Sequence, residues 1–348
     1  MPGVGTWFGA SAMQSGLELL TRLALVHPKE AKLTVGLDIG SSALKIVILG
    51  PRKGSSRVLL GQRTVPLGEA AESQVAAALK ETFTALDLPV KTVNLSVSGQ
   101  WVIMRVVEMP LMTPPELIQA LPFEAQRYLP FNIQEVVLDG VALGPTQEGN
   151  KTWVLIVACK RELLERRIAW VKQAGVEPAV VDVDALALAN AFAEQSDGRQ
   201  LTGTHGLINV GAQGTNLVVL KDGAPYLVRD IPWGAEKLTR HMAEQLGVEE
   251  AVVAAQLKQD VPLPPQYLEA MKVTCEGLAT DLQMSFDFFE SRFGPPPDQI
   301  AVSGGLLQCP GFQEALKSHL AQPLAPWTPT TGLSGQFAIA YGLALRTA

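Results

Sequence analysis

The sequence is short of charge, and its charge balance is slightly acidic. Charged residues occupy 18% of the 348 positions, and the formal net charge is -6. Proteins whose main task is to bind nucleic acid carry a basic surface, so nucleic acid is not an expected partner. Apolar residues make up 47% of the chain, which excludes bulk disorder and allows a sizeable core.

Cysteine is also scarce. The three cysteines, Cys159, Cys275 and Cys309, lie far apart and show neither the spacing of a metal site nor a disulfide framework. A reducing compartment is the simpler interpretation. The four histidines are isolated as well, so these residue types predict no metal site.

No stretch has the composition of a membrane-spanning helix. The longest run without Asp, Glu, Lys or Arg, residues 318–345, contains Pro323, Pro326 and Pro329 together with several glycines, and these residues interrupt a helix. Residues 1–16 lack the positive region of a secretory signal. The sequence therefore predicts a cytosolic protein.

An extension precedes the first predicted strand. Residues 1–33 contain a Gly/Ser-rich run around Trp7 and Phe8, followed by a leucine-rich helical pattern that ends at Pro28. A flexible leader with a packed helix fits this pattern, and so does a docking or membrane-surface helix. The low positive charge favours the leader.

Two stretches repeat one strand–turn–strand pattern. Residues 33–49 read LTVGLDIGSSALKIVIL, and residues 205–220 read HGLINVGAQGTNLVVL. The first copy continues through a third strand, a helix at 71–86 and a fourth strand. A duplication over so long a separation is not a solenoid repeat, and it predicts a two-lobed α/β protein with a cleft.

The region between the two copies has a different pattern. Residues 113–116, TPPE, form a helix-start signal. Strand patterns follow at 135–143 and 151–160, and 161–175 is an amphipathic helix that Gly175 closes. This order predicts a small α+β module.

The first repeated turn contains the residue types of a phosphate loop. Gly40 allows a ligand to approach the backbone, and a turn containing Ser41 and Ser42 can present N–H groups to a phosphate. Asp38 could hold a hydrated Mg²⁺, and Lys45 could reach phosphate charge from the next strand. Taken alone, the motif is more simply a polar β-turn.

Two further turns complete a set of three. NVGAQGT at 209–215 occupies the matching position in the second copy, and Ser303-Gly304-Gly305 follows an apolar strand. Two adjacent glycines allow a flat base or ribose to lie against the backbone. An ordinary turn or loop explains each motif singly, but the order of all three on a duplicated frame is far more specific.

With these turns in this order, the chain resembles the actin, Hsp70 and sugar-kinase superfamily. Within it, the chain resembles the type IV pilus assembly protein PilM family, which is related to the FtsA division proteins. The segments that carry the resemblance are VGLDIGSSALKIVIL, LPFEAQRYLPFNIQEVVLDG, VRDIPWGAEKLT, VSGGLLQCPGF and AIAYGLALR. The resemblance covers about 33–346. It implies an actin-like (ribonuclease H-like) two-lobed α/β fold, with duplicated β-β-β-α-β units and an inserted small α+β subdomain.

The resemblance also implies subdomain boundaries. In chain order these are an N-terminal extension at 1–33, subdomain 1A with the first phosphate loop at 34–107, the inserted subdomain 1C at 108–178, a helical return to 1A at 179–204, subdomain 2A at 205–235, subdomain 2B at 236–297, and a segment closing 2A and 1A at 298–348.

For ligands, the resemblance implies ATP and Mg²⁺ in the cleft between the lobes. Asp38 would hold the metal through water and is the one possible catalytic residue. The expected nucleotide-binding residues are Asp38, Gly40, Ser41, Ser42 and Lys45 in the first phosphate loop, Asn209, Gly211, Ala212, Gln213 and Thr215 in the second, Ser303, Gly304 and Gly305 facing the adenosine, and Gly234, Glu236 and Lys237 near the ribose or base.

One departure from the superfamily pattern bears on hydrolysis. The second phosphate loop usually reads Asp-x-Gly, and here the first position is Asn209. Asparagine lacks the charge that helps to position metal-bound water, and phosphoryl transfer depends on positioning and electrostatics. We therefore expect nucleotide binding with very slow or absent hydrolysis, and at most a weak ATPase.

The resemblance further implies a partner. PilM-like proteins hold the cytoplasmic N-terminal peptide of the inner-membrane protein PilN between the first subdomain and the inserted one. They are peripheral to the inner membrane, on its cytoplasmic face, beside other pilus components. The candidate partner surface is LPFEAQRYLPFN, with Phe123, Tyr128, Leu129 and Phe131 as apolar anchors. An equally weighted alternative places these residues in the core of the inserted module.

Three function classes remain open: a nucleotide-loaded scaffold of a pilus or secretion machine, an active ATPase or small-molecule kinase of the same superfamily, and an FtsA-like filament-forming division protein. No residue carries the signature of a catalytic base, and Asn209 argues against a kinase. FtsA proteins usually end in an amphipathic membrane helix, which the final LALRTA does not predict. The scaffold is the favoured interpretation.

Overall fold

The computed structural model describes residues 33–53, 56–68, 71–86, 90–146, 148–195, 201–259 and 261–347. The chain forms two compact units, which divide between Gly198 and Arg199 and again between Ala338 and Ile339. Most of the predicted N-terminal extension, including Trp7 and Phe8, lies outside the described residues. Within them, no helix combines the length and the apolar character that crossing a bilayer requires.

A five-stranded mixed sheet, ordered β3-β2-β1-β4-β8, is the centre of the first unit. The elements of this unit are β1 (Thr34–Ile39), β2 (Ala43–Lys53), β3 (Ser56–Pro66), α1 (Ala71–Thr84), β4 (Thr92–Val97), β5 (Val102–Pro110), α2 (Pro114–Ala125), β6 (Val136–Pro145), β7 (Lys151–Lys160), α3 (Arg161–Gln173), β8 (Glu177–Val183) and α4 (Asp184–Glu194). Strands β1, β2 and β3 form an antiparallel meander, and β4 and β8 join it in parallel. The predicted strand–strand–strand–helix–strand order is confirmed.

A second, three-stranded antiparallel sheet, ordered β5-β7-β6, forms the small α+β module. Helix α2 begins at a capping box, in which the Thr113 N–H donates to the Glu116 carboxylate at 2.7 Å. Leu117 and Leu121 of α2 are buried against one face of this sheet. At Gly140, a Cβ would come within 2.7 Å of Leu121 Cδ2, so the absence of a side chain there allows the helix to pack closely.

Helix α9 (Ala338–Ala344) returns the end of the chain to the first unit. A Cβ at Gly36 of β1 would overlap the Ala340 carbonyl, and one at Gly342 would overlap the Ala187 carbonyl. Helix α9 therefore lies directly on backbone at both places. The Asn94 side-chain amide adds two hydrogen bonds, to the carbonyls of Leu343 and Arg346, both at 2.9 Å.

A buried ion pair joins the last described turn of the chain to β8. Arg346 Nε lies 3.1 Å from Asp182 Oδ2, and neither side chain is more than 9% exposed. Oδ2 makes no hydrogen bond, so this contact is an ion pair alone. Burial raises the pKa of Asp182, and the Arg346 charge and the Val183 N–H oppose that rise.

The second unit repeats the sheet order of the first, as β11-β10-β9-β12-β13. Its elements are β9 (Thr204–Val210), β10 (Thr215–Lys221), β11 (Ala224–Ile231), α5 (Ala235–Leu246), α6 (Glu250–Leu257), α7 (Pro265–Phe293), β12 (Ile300–Ser303), a 3₁₀ turn (Gly305–Gln308), α8 (Phe312–Lys317) and β13 (Leu324–Pro326). An antiparallel meander again meets parallel strands. The duplication predicted from the sequence is therefore present in the sheet topology.

The long helix α7 packs against several other elements of the second unit. It buries one apolar face against α5, α8 and β11. The Lys221 ammonium donates to the Phe293 carbonyl at its end, where Gly294 interrupts the helix with φ +115°. The predicted stop at this glycine is confirmed, whereas the finer subdomain boundaries stay predictions.

A partly buried carboxyl in the small sheet leads to a pH-dependent prediction. Asp139 lies between the α2-facing residues of β6 and so points to the opposite face. Burial raises its pKa to about 6, although the Gly140 N–H donates to it and opposes the rise. The folded state therefore binds more protons than the unfolded chain between about pH 4 and pH 6. The free energy of unfolding should fall as the pH rises through this window.

We expect Asp139→Asn to remove that pH dependence. The variant should be more stable than the parent by about 1–3 kcal/mol at pH 7, with the difference shrinking at pH 4. Urea denaturation of both proteins at the two pH values measures this. Glu162→Gln, which neutralises an exposed acid on α3, is the control and should show no such difference. Equal effects of Asp139→Asn at both pH values would contradict the prediction.

Candidate functional site

The first turn is closed by an ion pair across two strands. The β1–β2 register places Asp38 opposite Lys45, and Lys45 Nζ lies 2.9 Å from Asp38 Oδ2. The Gly40 N–H donates to the Ala43 carbonyl at 3.1 Å. The structure therefore brings together Asp38, Gly40 and Lys45, as the sequence predicted, and leaves Ser41 and Ser42 exposed.

The charge of Lys45 is stabilised by its surroundings. Burial alone would lower the pKa of Lys45, but the charge and hydrogen bond of Asp38 and the charge of Asp184 outweigh it, so the pKa is raised. The ammonium is therefore protonated at physiological pH. A positive group beside a glycine turn is suited to an anion such as phosphate.

Two residues near this turn were missed by the sequence reasoning. Asp184, the first residue of α4, contributes to the field at Lys45. Arg167 of α3 donates from Nη1 to the Ile39 carbonyl at 2.6 Å, immediately before Gly40. Both residues are far from the turn in sequence, so no local motif reveals them.

The second turn is held against the start of α5. The Gly211 N–H donates to the Gly214 carbonyl at 2.9 Å, and the Ala235 and Glu236 N–H groups donate to the turn carbonyls of Gly211 and Ala212 at 3.0 and 2.9 Å. The first donors of the helix are thus satisfied within the protein.

The remaining predicted residues of this region divide between backbone support and surface. A Cβ at Gly234 would lie 2.5 Å from the Ala212 carbonyl oxygen, so this glycine permits the close approach of α5. Thr215 is buried, and its hydroxyl donates to the Trp233 carbonyl at 2.7 Å. Gln213 and Glu236 are exposed.

A row of polar side chains crosses the second sheet beneath these turns. Ser303, Asn209, Asn216 and Asp230 lie opposite one another on four neighbouring strands. Ser303 Oγ lies 3.2 Å from Asn209 Oδ1, Asn209 Nδ2 donates to Asn216 Oδ1 at 3.4 Å, and Asn216 Nδ2 donates to Asp230 Oδ1 at 2.8 Å. Asn209 carries no charge, and both ends of its side-chain amide take part in this hydrogen-bonded row.

The third turn contains two glycines with different surroundings. Gly304 has φ +106°, and a Cβ there would overlap the backbone of Val210. A Cβ at Gly305 would meet no atom within 4 Å, and the residue is exposed. A 3₁₀ turn begins at Gly305, and helix α8 starts at Phe312. The absence of a side chain at Gly304 therefore allows the turn to pack against the Val210 backbone, whereas Gly305 borders open space.

The second and third turns lie side by side at one edge of their sheet. They follow the carboxyl ends of β9 and β12, which pair in parallel with Asn209 opposite Ser303. The first turn follows the carboxyl end of β1, next to parallel β4. In open α/β sheets, ligands bind outside the carboxyl ends of the strands. Among the described residues, no group of three or more His, Cys, Asp or Glu side chains is arranged to hold a metal ion.

The candidate partner segment contains both surface and core residues. Phe123 is 80% exposed and Tyr128 is 40% exposed, whereas Leu129 and Phe131 pack against the core beneath α2. The Phe131 ring centroid lies 5.8 Å from that of Trp101. Phe123 and Tyr128 are therefore accessible, Leu129 and Phe131 belong to the packing of the small module, and partner binding by this segment stays a prediction.

The solved structures similar to this chain share the actin-like fold. The PilM–PilN type IV pilus biogenesis complex contains a chain with 24% identity and a TM-score of 0.78, and the match covers 90% of this chain and 97% of that one. The ethanolamine utilization protein EutJ from Carboxydothermus hydrogenoformans has 14% identity and a TM-score of 0.55, with 95% and 96% covered. A protein of unknown function with an actin-like ATPase fold, from Bacteroides thetaiotaomicron, has 12% identity and a TM-score of 0.50, with 92% and 99% covered.

The comparison with protein families covers almost the whole described chain. The family described as type IV pilus assembly protein PilM matches residues 36–348. This range includes the three turns, the polar row across the second sheet and the small α+β module. The chain therefore belongs to the type IV pilus assembly protein PilM family.

Proposed function

We propose that this chain is an ATP-binding scaffold of a type IV pilus assembly complex. In this role it stands at the cytoplasmic face of the inner membrane and holds the cytoplasmic N-terminal peptide of a PilN-like protein. The observation that carries the proposal is the matched set of turns at strand carboxyl ends, one in the first unit and two in the second, in a chain of the PilM family.

The first turn supports phosphate binding. Lys45 supplies a stable positive charge, and Ser41 and Ser42 leave the turn open to a ligand. Asp38 would hold Mg²⁺ here; its Oδ2 is paired with Lys45, and its Oδ1 lies on the Gly40 side. When bound, the ion would neutralise phosphate charge.

The second unit supports binding of the rest of the nucleotide. The Gly211–Gly214 turn has its own backbone closure and is anchored to α5, so it is rigid before a ligand arrives. Gly305 leaves open space beside the backbone, as a flat base or ribose requires. A pre-organised site loses less entropy on binding.

The polar row supports slow or absent hydrolysis. Asn209 carries no charge, and its amide is engaged with Ser303 and Asn216. It therefore supplies neither a base nor a charged partner for metal-bound water. The alternatives of an active ATPase, a small-molecule kinase or a filament-forming division protein require turnover or assembly that no observation here favours.

The proposed partner surface consists of exposed aromatic side chains on a segment that packs against the core of the small module. Phe123 and Tyr128 face solvent, and Leu129 and Phe131 tie the same segment to the core of the small module. Rigid exposed aromatic side chains are frequent energetic anchors in interfaces. A membrane-anchored PilN-like partner, and other inner-membrane pilus components, would hold the protein peripherally at the membrane.

Retention of intact nucleotide is the first expected outcome. After hours with Mg-ATP and removal of free nucleotide, native mass spectrometry should show one intact ATP per chain. ADP, with phosphate released at about 1 s⁻¹ or faster, would contradict slow hydrolysis and favour the ATPase or kinase. A chain that retains no nucleotide would contradict the ATP-binding proposal. A sample without protein controls for spontaneous hydrolysis.

Gly305→Leu should weaken ATP binding by about tenfold or more, because the new side chain fills the space proposed for the adenosine. Its affinity for inorganic tripolyphosphate should not change, since that ligand has no adenosine. Isothermal titration calorimetry measures both affinities. Gly304→Ala provides a contrast: it should lower the melting temperature, because the added Cβ overlaps Val210. Unchanged ATP affinity in folded Gly305→Leu would show that adenosine binds elsewhere.

Tyr128→Ala should weaken binding of a synthetic PilN N-terminal peptide by about tenfold, the size of effect expected for an aromatic anchor. Fluorescence anisotropy with a labelled peptide measures the change. Met284→Ala removes another exposed apolar side chain, 53% exposed and in the second unit, and should leave the affinity unchanged. Normal peptide binding by a folded Tyr128→Ala variant would remove this residue as an anchor.

A further inference from the structure

One cation outside the three turns touches the first of them. Arg167 lies on α3 and donates from Nη1 to the Ile39 carbonyl at 2.6 Å. Ile39 is the last residue of β1, between Asp38 and Gly40. A hydrogen bond from a charged donor is stronger than a neutral one, so this contact orients the peptide unit that leads into the turn.

The same guanidinium is close to the small sheet. It opposes the burial that raises the pKa of the Cys159 thiol to about 12, which places its charge near the end of β7. Its Cζ also lies 5.7 Å from the centroid of the Trp170 ring. Arg167 therefore contacts the end of β1, and its charge acts on Cys159 near the end of the small sheet's central strand.

Helix α3 is a direct extension of that central strand. Strand β7 ends at Lys160, and α3 begins at Arg161 with no loop between them. The Lys160 N–H donates to the Trp101 carbonyl at 2.9 Å, and its ammonium lies 4.4 and 5.3 Å from the Trp101 and Phe131 ring centroids. The small sheet and α3 are therefore joined directly, with no loop between them.

The turn does not need Arg167 in order to form. Its closure comes from the hydrogen bond between Gly40 and Ala43, and the Leu67 N–H donates to the Ser42 carbonyl at 2.9 Å. The Asp38–Lys45 pair lies within the β1–β2 register. Arg167 therefore adds orientation and positive charge to a turn that is already built.

We infer that Arg167 is a positioning residue of the first phosphate turn and couples that turn to the small sheet. A peptide seated on the exposed aromatics of the small module changes nucleotide affinity through this guanidinium, and nucleotide changes peptide affinity by the same factor. The turn itself contains the Asp38–Lys45 ion pair, and Asp184 adds its charge at Lys45. This inference rests on the proposed function, since it requires both a nucleotide and a peptide.

The test is a thermodynamic cycle. Titration calorimetry measures the dissociation constant of Mg-ATP with and without a saturating synthetic PilN N-terminal peptide, and that of the peptide with and without Mg-ATP. The proteins are the parent chain, Arg167→Ala, Arg167→Lys and Lys172→Ala. Lys172 is an exposed cation on the same helix, so its variant controls for loss of charge from α3.

In the parent chain we expect the peptide to change ATP affinity about fivefold or more, with the reciprocal effect equal to it. Arg167→Ala should bind ATP about tenfold more weakly and bring the ratio to one, while its peptide affinity without nucleotide stays unchanged. Arg167→Lys keeps the charge and one donor, so it should recover part of the ATP affinity. Lys172→Ala should behave as the parent.

Three results would overturn the inference. The first is a ratio of one in a parent chain that binds both ligands, and the second is an unchanged ratio in Arg167→Ala. The third is loss of peptide binding together with ATP binding in both Arg167 variants, which would indicate a structural role. A parent chain that binds no ATP or no peptide gives a different result, because it overturns the proposed function itself.

Discussion

The first unit depends on a contact between two pieces of backbone. At Gly36 and Gly342 no side chain separates α9 from β1 and from α4. Asn94 then fixes the end of the chain by donating to the carbonyl of Leu343 in α9 and to that of Arg346 just beyond it. Strand β1 is held on the opposite edges by β2 and β4. The turn that follows it therefore starts from a fixed position.

The two copies of the fold stabilise their turns by different chemistry. In the first unit, an ion pair joins Asp38 to Lys45 across antiparallel strands, so charge of both signs lies at the turn. In the second unit, a row of amides and a hydroxyl occupies the matching place, and the acidic member, Asp230, lies at its far end. The duplicated frame thus has a lysine opposite Asp38 and an asparagine, Asn216, opposite Asn209.

The sequence predicted those parts of the molecule that depend on neighbouring residues. The order of strands and helices along the chain, the duplication and the three turns follow from the alternation of apolar and polar residues and from glycines at fixed spacings. These patterns can be read from the sequence because they extend over only a few residues. Arg167 and Asp184 could not be found in this way, since strand register and helix packing alone bring them to the first turn. The polar row could not be predicted for the same reason, because only the strand register places Asn216 and Asp230 in line with Asn209.

The sequence also did not show which apolar residues of the segment LPFEAQRYLPFN lie at the surface and which lie in the core. The sequence could not separate Phe123 and Tyr128 from Leu129 and Phe131, because helix α2 ends at Ala125 and the following turns decide which side chain meets the core. The two glycines of the third turn were likewise equivalent in sequence. Their surroundings separate them, since the Val210 backbone lies against Gly304 and open space lies beside Gly305.

The division of the chain between the units has a consequence for biosynthesis. The second unit is one continuous stretch, Arg199–Ala338, whereas the first is completed by the segment from Ile339. A ribosome therefore releases all of the second unit before it releases α9. Until then, the backbone surface of β1 at Gly36 has no helix to cover it. Domains tend to fold as units during synthesis, usually the N-terminal one first. The first unit begins earlier in the chain, yet its last helix is synthesised only after the second unit.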